Sequence, residues 1–167
     1  MIFLIEALIL CLVFTAMIIP SVIKNPLAWI SDYPPAIQKR AKELGLIPAQ
    51  QPRMPLSVII KKLTFSILYA VMFALLLFFI NGVKTFWEGC FVSYGLWLIV
   101  DWYDALILDC IWGCHSKKAI IPGTEDMVGE YRNYLFHIKM SLIGMIIGLP
   151  ICLLAGLGVF IINAIVG

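Results

Sequence analysis

The sequence predicts an all-α integral membrane protein with four transmembrane helices in a bundle, and three observations lead there. The chain is 62% hydrophobic and only 13% charged, with mean hydropathy +1.00; soluble domains run near about 45–50% apolar and about 25% charged. Four stretches, at about 1–23, 63–80, 86–112 and 134–166, reach the roughly 20 mostly apolar residues that a spanning helix needs. The basic residues gather in two of the connections between those stretches. Four helices and two sizeable loops use up the 167 residues, so one membrane domain over 1–167 is expected.

The first stretch lacks a positive leading region, carries Glu6 and shows no small-residue cleavage pattern before Lys24. It therefore reads as a retained helix and not as a signal peptide. The loop after it contains SDYPPAIQKRAKELGLIP, a short amphipathic interfacial helix at about 34–45. Prolines suit its first turn, and Gly45 followed by Pro48 stops it. Ile37, Ala41 and Leu44 share one face, with Gln38, Lys39, Lys42 and Glu43 elsewhere. Such a segment can connect helices while resting on anionic inner-leaflet lipids, or serve as a lid or docking surface.

Asn81-Gly82 closes a tight turn between the second and third helices, which makes them antiparallel neighbours. In the loop before the fourth helix, Pro122-Gly123 marks a turn and Thr124 an N-cap. Glu125 and Asp126 then fall in a first turn, where the helix dipole favours acids. In the fourth helix His137, Ser141, Gly144 and Gly148 line one stripe, and Pro150 predicts a kink. Gly144 and Gly148 form a small-xxx-small face for close helix packing, through which a homo-oligomer is expected.

Topology follows from Lys24, Lys39, Arg40, Lys42 and Arg53 in the first long loop, with Lys61 and Lys62 at the next helix entrance. Lys117, Lys118 and Arg132 occupy the second long loop, whereas the outer hairpin has only Lys84. The positive-inside rule puts both long loops in the cytoplasm and both termini outside, as expected of a multi-pass protein of the cell membrane. Cys11, Cys90, Cys110, Cys114 and Cys152 fit no disulfide frame. The net charge of +2, with no basic patch interleaved with aromatics, leaves no role with nucleic acid; the partner in view is the lipid bilayer.

The chemistry concentrates in DWYDALILDC, Asp101 to Cys110. At about 100° per residue, Tyr94, Trp97, Asp101 and Asp104 fall on one face of the third helix, and Asp109 points roughly 80° away from Asp101. If the hydrocarbon core spans about 89–108, Asp101 and Asp104 are intramembrane, while Asp109 and Glu88 reach the two interfaces and can be solvated. An acid at a helix centre costs ~2.5–3.5 kcal/mol on insertion scales, and adjacent acids repel. A bound cation, a shared proton, or basic partners such as His137 relieve that cost. The expectation is a cytoplasm-facing acidic pocket of Asp101, Asp104, Tyr94, Trp97, Tyr134 and His137, with Cys114 and His115 at its mouth.

Asp101, Asp104 and His137 are candidate ligands for a divalent metal by residue type, although the Glu-x-x-His pattern of helical-bundle metal sites is absent. Cys110, Cys114 and His115 supply only three soft ligands. No phosphate loop, nucleophile elbow, zinc-protease motif or C-x-x-C occurs. Binding or transport of a cation or small cationic or amphiphilic ligand fits this pattern best. The alternatives are a membrane-embedded enzyme acting on an amphiphile at the inner leaflet, and a non-catalytic accessory or assembly subunit.

Overall fold

The computed structural model describes residues 2–48 and 56–167, with backbone only for Ser57, Val58 and Lys61. Arg53 and the Lys61 side chain, both used in reading the topology, lie outside the described residues, as does Met1. The described chain is helical: α1 (Ile2–Lys24), α2 (Pro35–Glu43), α3 (Leu56–Phe79), α4 (Phe86–Tyr103), α5 (Val128–Tyr131) and α6 (Tyr134–Val166). A π-helical segment, Asp104–Gly113, continues α4. Four helices are long and apolar enough to cross a membrane: Ile2–Lys24, Lys62–Phe79, Phe86–Gly113 and Tyr134–Val166. Large apolar side chains such as Leu8, Leu12, Phe65, Phe91 and Ile146 are exposed, as an apolar solvent allows.

Short elements end where the sequence places their stops. Gly45 takes φ +71° after α2. Its N–H donates to Lys42 O and that of Leu46 to Ala41 O, each at 3.0 Å, the paired bonds of a Schellman cap. Gly82, at φ +69°, makes the turn between α3 and α4.

The chain divides into two compact units. The first comprises residues 1–8, 52–101 and 143–167, and its axis is the contact of α4 with α6. Gly89, Ser93, Trp97 and Asp101 step by four along α4; Gly156, Cys152, Gly148 and Gly144 step by four in the opposite sense along α6. Each meets its opposite number. A Cβ on Gly89 would stand 2.9 Å from Gly156 Cα. Ser93 Oγ approaches Cys152 O at 3.5 Å. The Trp97 indole and the Asp101 carboxylate fill the space that side chains at Gly148 and Gly144 would need. Two i±4 rows thus interdigitate. The Gly144/Gly148 face packs closely on Trp97 and Asp101 of α4 in the same chain.

The second unit comprises residues 9–51 and 102–142. Its core is Tyr33, Ile37, Ile121 and Tyr131, with Leu27, Trp29, Ile30, Ile120 and Met127 packed against it. Ile37 and Ala41 are fully buried, and α2 lies against α5. Two of the three residues on the apolar face that the sequence assigned to the interfacial helix are therefore covered by protein, while Leu44 and Lys39 stay exposed. Tyrosine hydroxyls close the backbone of the connecting segments. Tyr33 donates to Ala119 O (2.8 Å), and Tyr131 accepts from Ile121 N–H (2.9 Å). Thr124 stands at an N-cap position but makes no cap bond. Its hydroxyl donates to Ile121 O (2.8 Å) and lies 2.6 Å from the Tyr131 hydroxyl. Glu125 takes the Gly123 N–H (2.9 Å) and Asp126 stands 3.8 Å from Arg40, so both acids have structural work.

Gly156→Val should destabilise the protein by about 1–3 kcal/mol through overpacking, because its new atoms would meet Phe86 O at 2.6 Å and Cys90 N at 2.9 Å. Gly129→Ala, which meets nothing within 4 Å, should be neutral in the same thermal unfolding assay. Tyr131→Phe should cost ~1–3 kcal/mol by leaving the buried Ile121 N–H and Thr124 hydroxyl short of a partner. Amide exchange at Ile121 should accelerate accordingly.

Candidate functional site

The residues expected to form one pocket fall in different units. Tyr94, Trp97 and Asp101 belong to the first; Asp104, Tyr134 and His137 belong to the second.

In the first unit the polar atoms serve the α4–α6 contact. Tyr94 donates to Met145 O (3.3 Å) and Trp97 Nε1 to Gly144 O (3.1 Å). Both carbonyls lie five and six residues before Pro150, which stands inside α6. The Asp101 carboxylate lies against the α6 backbone at Gly144, where no Cβ intervenes. Tyr69 meets Trp97 edge-on with centroids 6.0 Å apart. A shallow apolar pocket lies beside them, lined by Tyr69, Phe73, Ser93, Trp97, Cys152 and Ala155 among others.

The second unit brings a carboxylate and an imidazole together. Asp109 Oδ2 accepts from His137 Nδ1 at 3.1 Å; His137 is only 7% exposed, and about a third of the Asp109 side chain is open (34%). With Nδ1–H held by the carboxylate, Nε2 is the remaining ring nitrogen. The sequence had placed Asp109 at a solvated edge, and Asp101 and Asp104 as the pair needing a partner. The difference comes from winding. Cys114 N–H donates to Asp109 O (2.8 Å), a bond that closes over five residues instead of four. At 100° per residue Asp104 and Asp109 would diverge by about 140°; the wider π turn brings them toward a common face. Nothing in the local sequence announces a π segment, since its composition suits an α-helix equally.

In the same unit, Tyr134 and His115 stack with centroids 6.1 Å apart. His115 Nδ1 lies 3.1 Å from Ile111 O, which fixes Nδ1 as the donor and leaves Nε2, 3.2 Å away, to accept from the Tyr134 hydroxyl. Tyr103, next to Asp104, is hydrogen-bonded to Thr15 at 2.8 Å, tying α1 to the end of α4. Asp101, Asp104 and Ser141 also make interactions. Among the described residues no three His, Cys, Asp or Glu side chains are grouped to hold a metal ion.

Cys114 is buried, and that burial, with Cys110 and Asp109 nearby, pushes its thiol up to about 12 against the opposing pull of Arg132. It stays protonated and is not an activated nucleophile. Burial also raises the Tyr33 hydroxyl, helped by Tyr131, Asp109 and Asp32.

The described residues define an all-helical fold with four helices long and apolar enough to cross a membrane. No family model, no curated protein and no solved structure matches it.

Both raised groups give stability that is complete below their unfolded values and lost as pH rises. The unfolded thiol ionises near 9 while the folded one holds its proton to about 12, so the unfolded state binds fewer protons across that window. Thermal stability should therefore decline above about pH 9, and Cys114→Ala should flatten part of that decline.

Proposed function

We propose that the chain is a multi-pass protein of the cell membrane that binds a cation at Asp104, Asp109 and His137 and passes it as part of transport, the proton being the cation this chemistry handles best. Both termini are outside, and the connections bearing Lys24, Lys39, Arg40, Lys42, Lys117, Lys118 and Arg132 face the cytoplasm. There the exposed Lys39 meets anionic headgroups, by charge and not through the apolar face of α2.

The observation that carries the reading is the Asp109–His137 contact, a carboxylate held against a buried imidazole at 3.1 Å. Chains of Asp, Glu and His within membrane helices are the usual means of relaying protons. The pair has one net negative charge with a neutral imidazole and none with a protonated one, so a proton relieves the cost of burying it. A π segment in the same stretch fits, because such segments recur at functional sites. An enzyme using a cysteine nucleophile is less supported, since Cys114 keeps its proton.

The same contact supports one further reading, in which Asp109 and His137 only brace the π segment against α6. Protein reconstituted in liposomes with a pH-sensitive dye inside distinguishes the two. Under a potassium diffusion potential, wild type should acidify or alkalinise the lumen according to the sign of the potential. Asp109→Asn and His137→Ala should fall to the rate of empty liposomes while remaining monodisperse. A wild type no faster than empty liposomes, with variants that fail to fold, would establish the brace.

A further inference from the structure

A buried acid lies in the first unit and has no part in the proposed relay. Glu6, in the first turns of α1, is 8% exposed. Asn81, in the turn after α3, donates from Nδ2 to Glu6 Oε2 at 2.9 Å. The other two oxygens of these side chains, Glu6 Oε1 and Asn81 Oδ1, are both buried without a hydrogen-bond partner. Orphaned buried acceptors are uncommon and costly. Here two occur on residues already joined by one bond, and both lack the same thing, a donor.

The neighbours do not supply it. Among the described residues no ion pair involves Glu6; Arg40 pairs with Asp126 and His137 with Asp109. Glu88, in the first turn of α4, takes the Thr85 hydroxyl at 2.9 Å, and Lys84 is exposed. Exchanging the amide N and O of Asn81 does not help, because three buried acceptor oxygens would still face one NH2 group. An ionised carboxylate so enclosed, with one neutral hydrogen bond, is expensive; a neutral acid is not.

We propose that Glu6 and Asn81 form a proton-binding site. Glu6 Oε1 carries the proton and donates it to Asn81 Oδ1, while Asn81 Nδ2 donates to Glu6 Oε2. One proton satisfies both orphaned oxygens and closes a two-point acid–amide pair between α1 and the α3–α4 turn. The site rests on the donor count alone and stands or falls independently of proton movement through Asp109 and His137.

Infrared spectroscopy of the full chain in lipid nanodiscs at neutral pH tests it. Wild type should show a protonated-carboxyl C=O band that shifts in D2O. Glu6→Gln should remove that band, and Glu88→Gln should leave it. Because a glutamine N–H can replace the proton toward Asn81 Oδ1, Glu6→Gln should melt no lower than wild type, whereas Glu6→Ala should melt lower. A band unchanged in Glu6→Gln overturns the proposal. So does the loss of a carboxylate band in its place, which would mean that a water or metal cation supplies the donor or charge. A Glu6→Gln variant that melts well below wild type or fails to fold also overturns it, since the neutral isostere should be tolerated.

Discussion

Two helices surrounded by lipid gain nothing from hiding apolar side chains from one another, because acyl chains are just as apolar; what they can gain is close packing and hydrogen bonds. The contact of α4 with α6 is built on that constraint. Gly156 opposite Gly89 removes the side chains that would hold the backbones apart, and Gly148 and Gly144 leave room for Trp97 and Asp101. A bulky indole and a carboxylate can lie within the contact only because the facing positions are empty. The donors Tyr94 and Trp97 then reach carbonyls of α6. Much of the first unit follows from this row of small residues meeting a row of larger ones.

Beyond Tyr103 the α4 helix changes its winding, with consequences for charge. A π turn redirects every side chain after it relative to an α-helix. Asp109, which regular winding would send to a different edge, becomes the partner of His137. Local winding is therefore what matches acid to base in the second unit. Asp101, only eight residues earlier on the same continuous helical run, belongs to a different packing environment.

The segments between the long apolar helices are ordered by the same need to satisfy polar groups. Tyr33 and Tyr131 contribute rings to a small apolar core and hydroxyls to buried backbone groups. That double use lets short irregular stretches pack with the Ile121 N–H and the Ala119 carbonyl satisfied. In α2, Ile37 packs into that core and Ala41 is buried, while Leu44 of the same face stays exposed.

The sequence by itself determined the four apolar helices, their bounds to within a few residues apart from an earlier start to α3, and the stops at Gly45 and Gly82. These depend on composition, run length and residue-specific backbone freedom, all local properties. It also pointed to Gly144, Gly148 and His137 as residues with special work, because small and ionisable residues are conspicuous in an apolar helix. Which residue each would meet was settled only by tertiary structure. The opposition of Gly148 to Trp97 and of Gly156 to Gly89 depends on the register of two helices more than 40 positions apart in the chain. The Asp109–His137 pair depends on a π turn that local composition does not distinguish from an α turn. The two orphaned oxygens of Glu6 and Asn81 exist only once α1 meets the turn after α3, because burial and hydrogen-bond satisfaction belong to an environment and not to a residue.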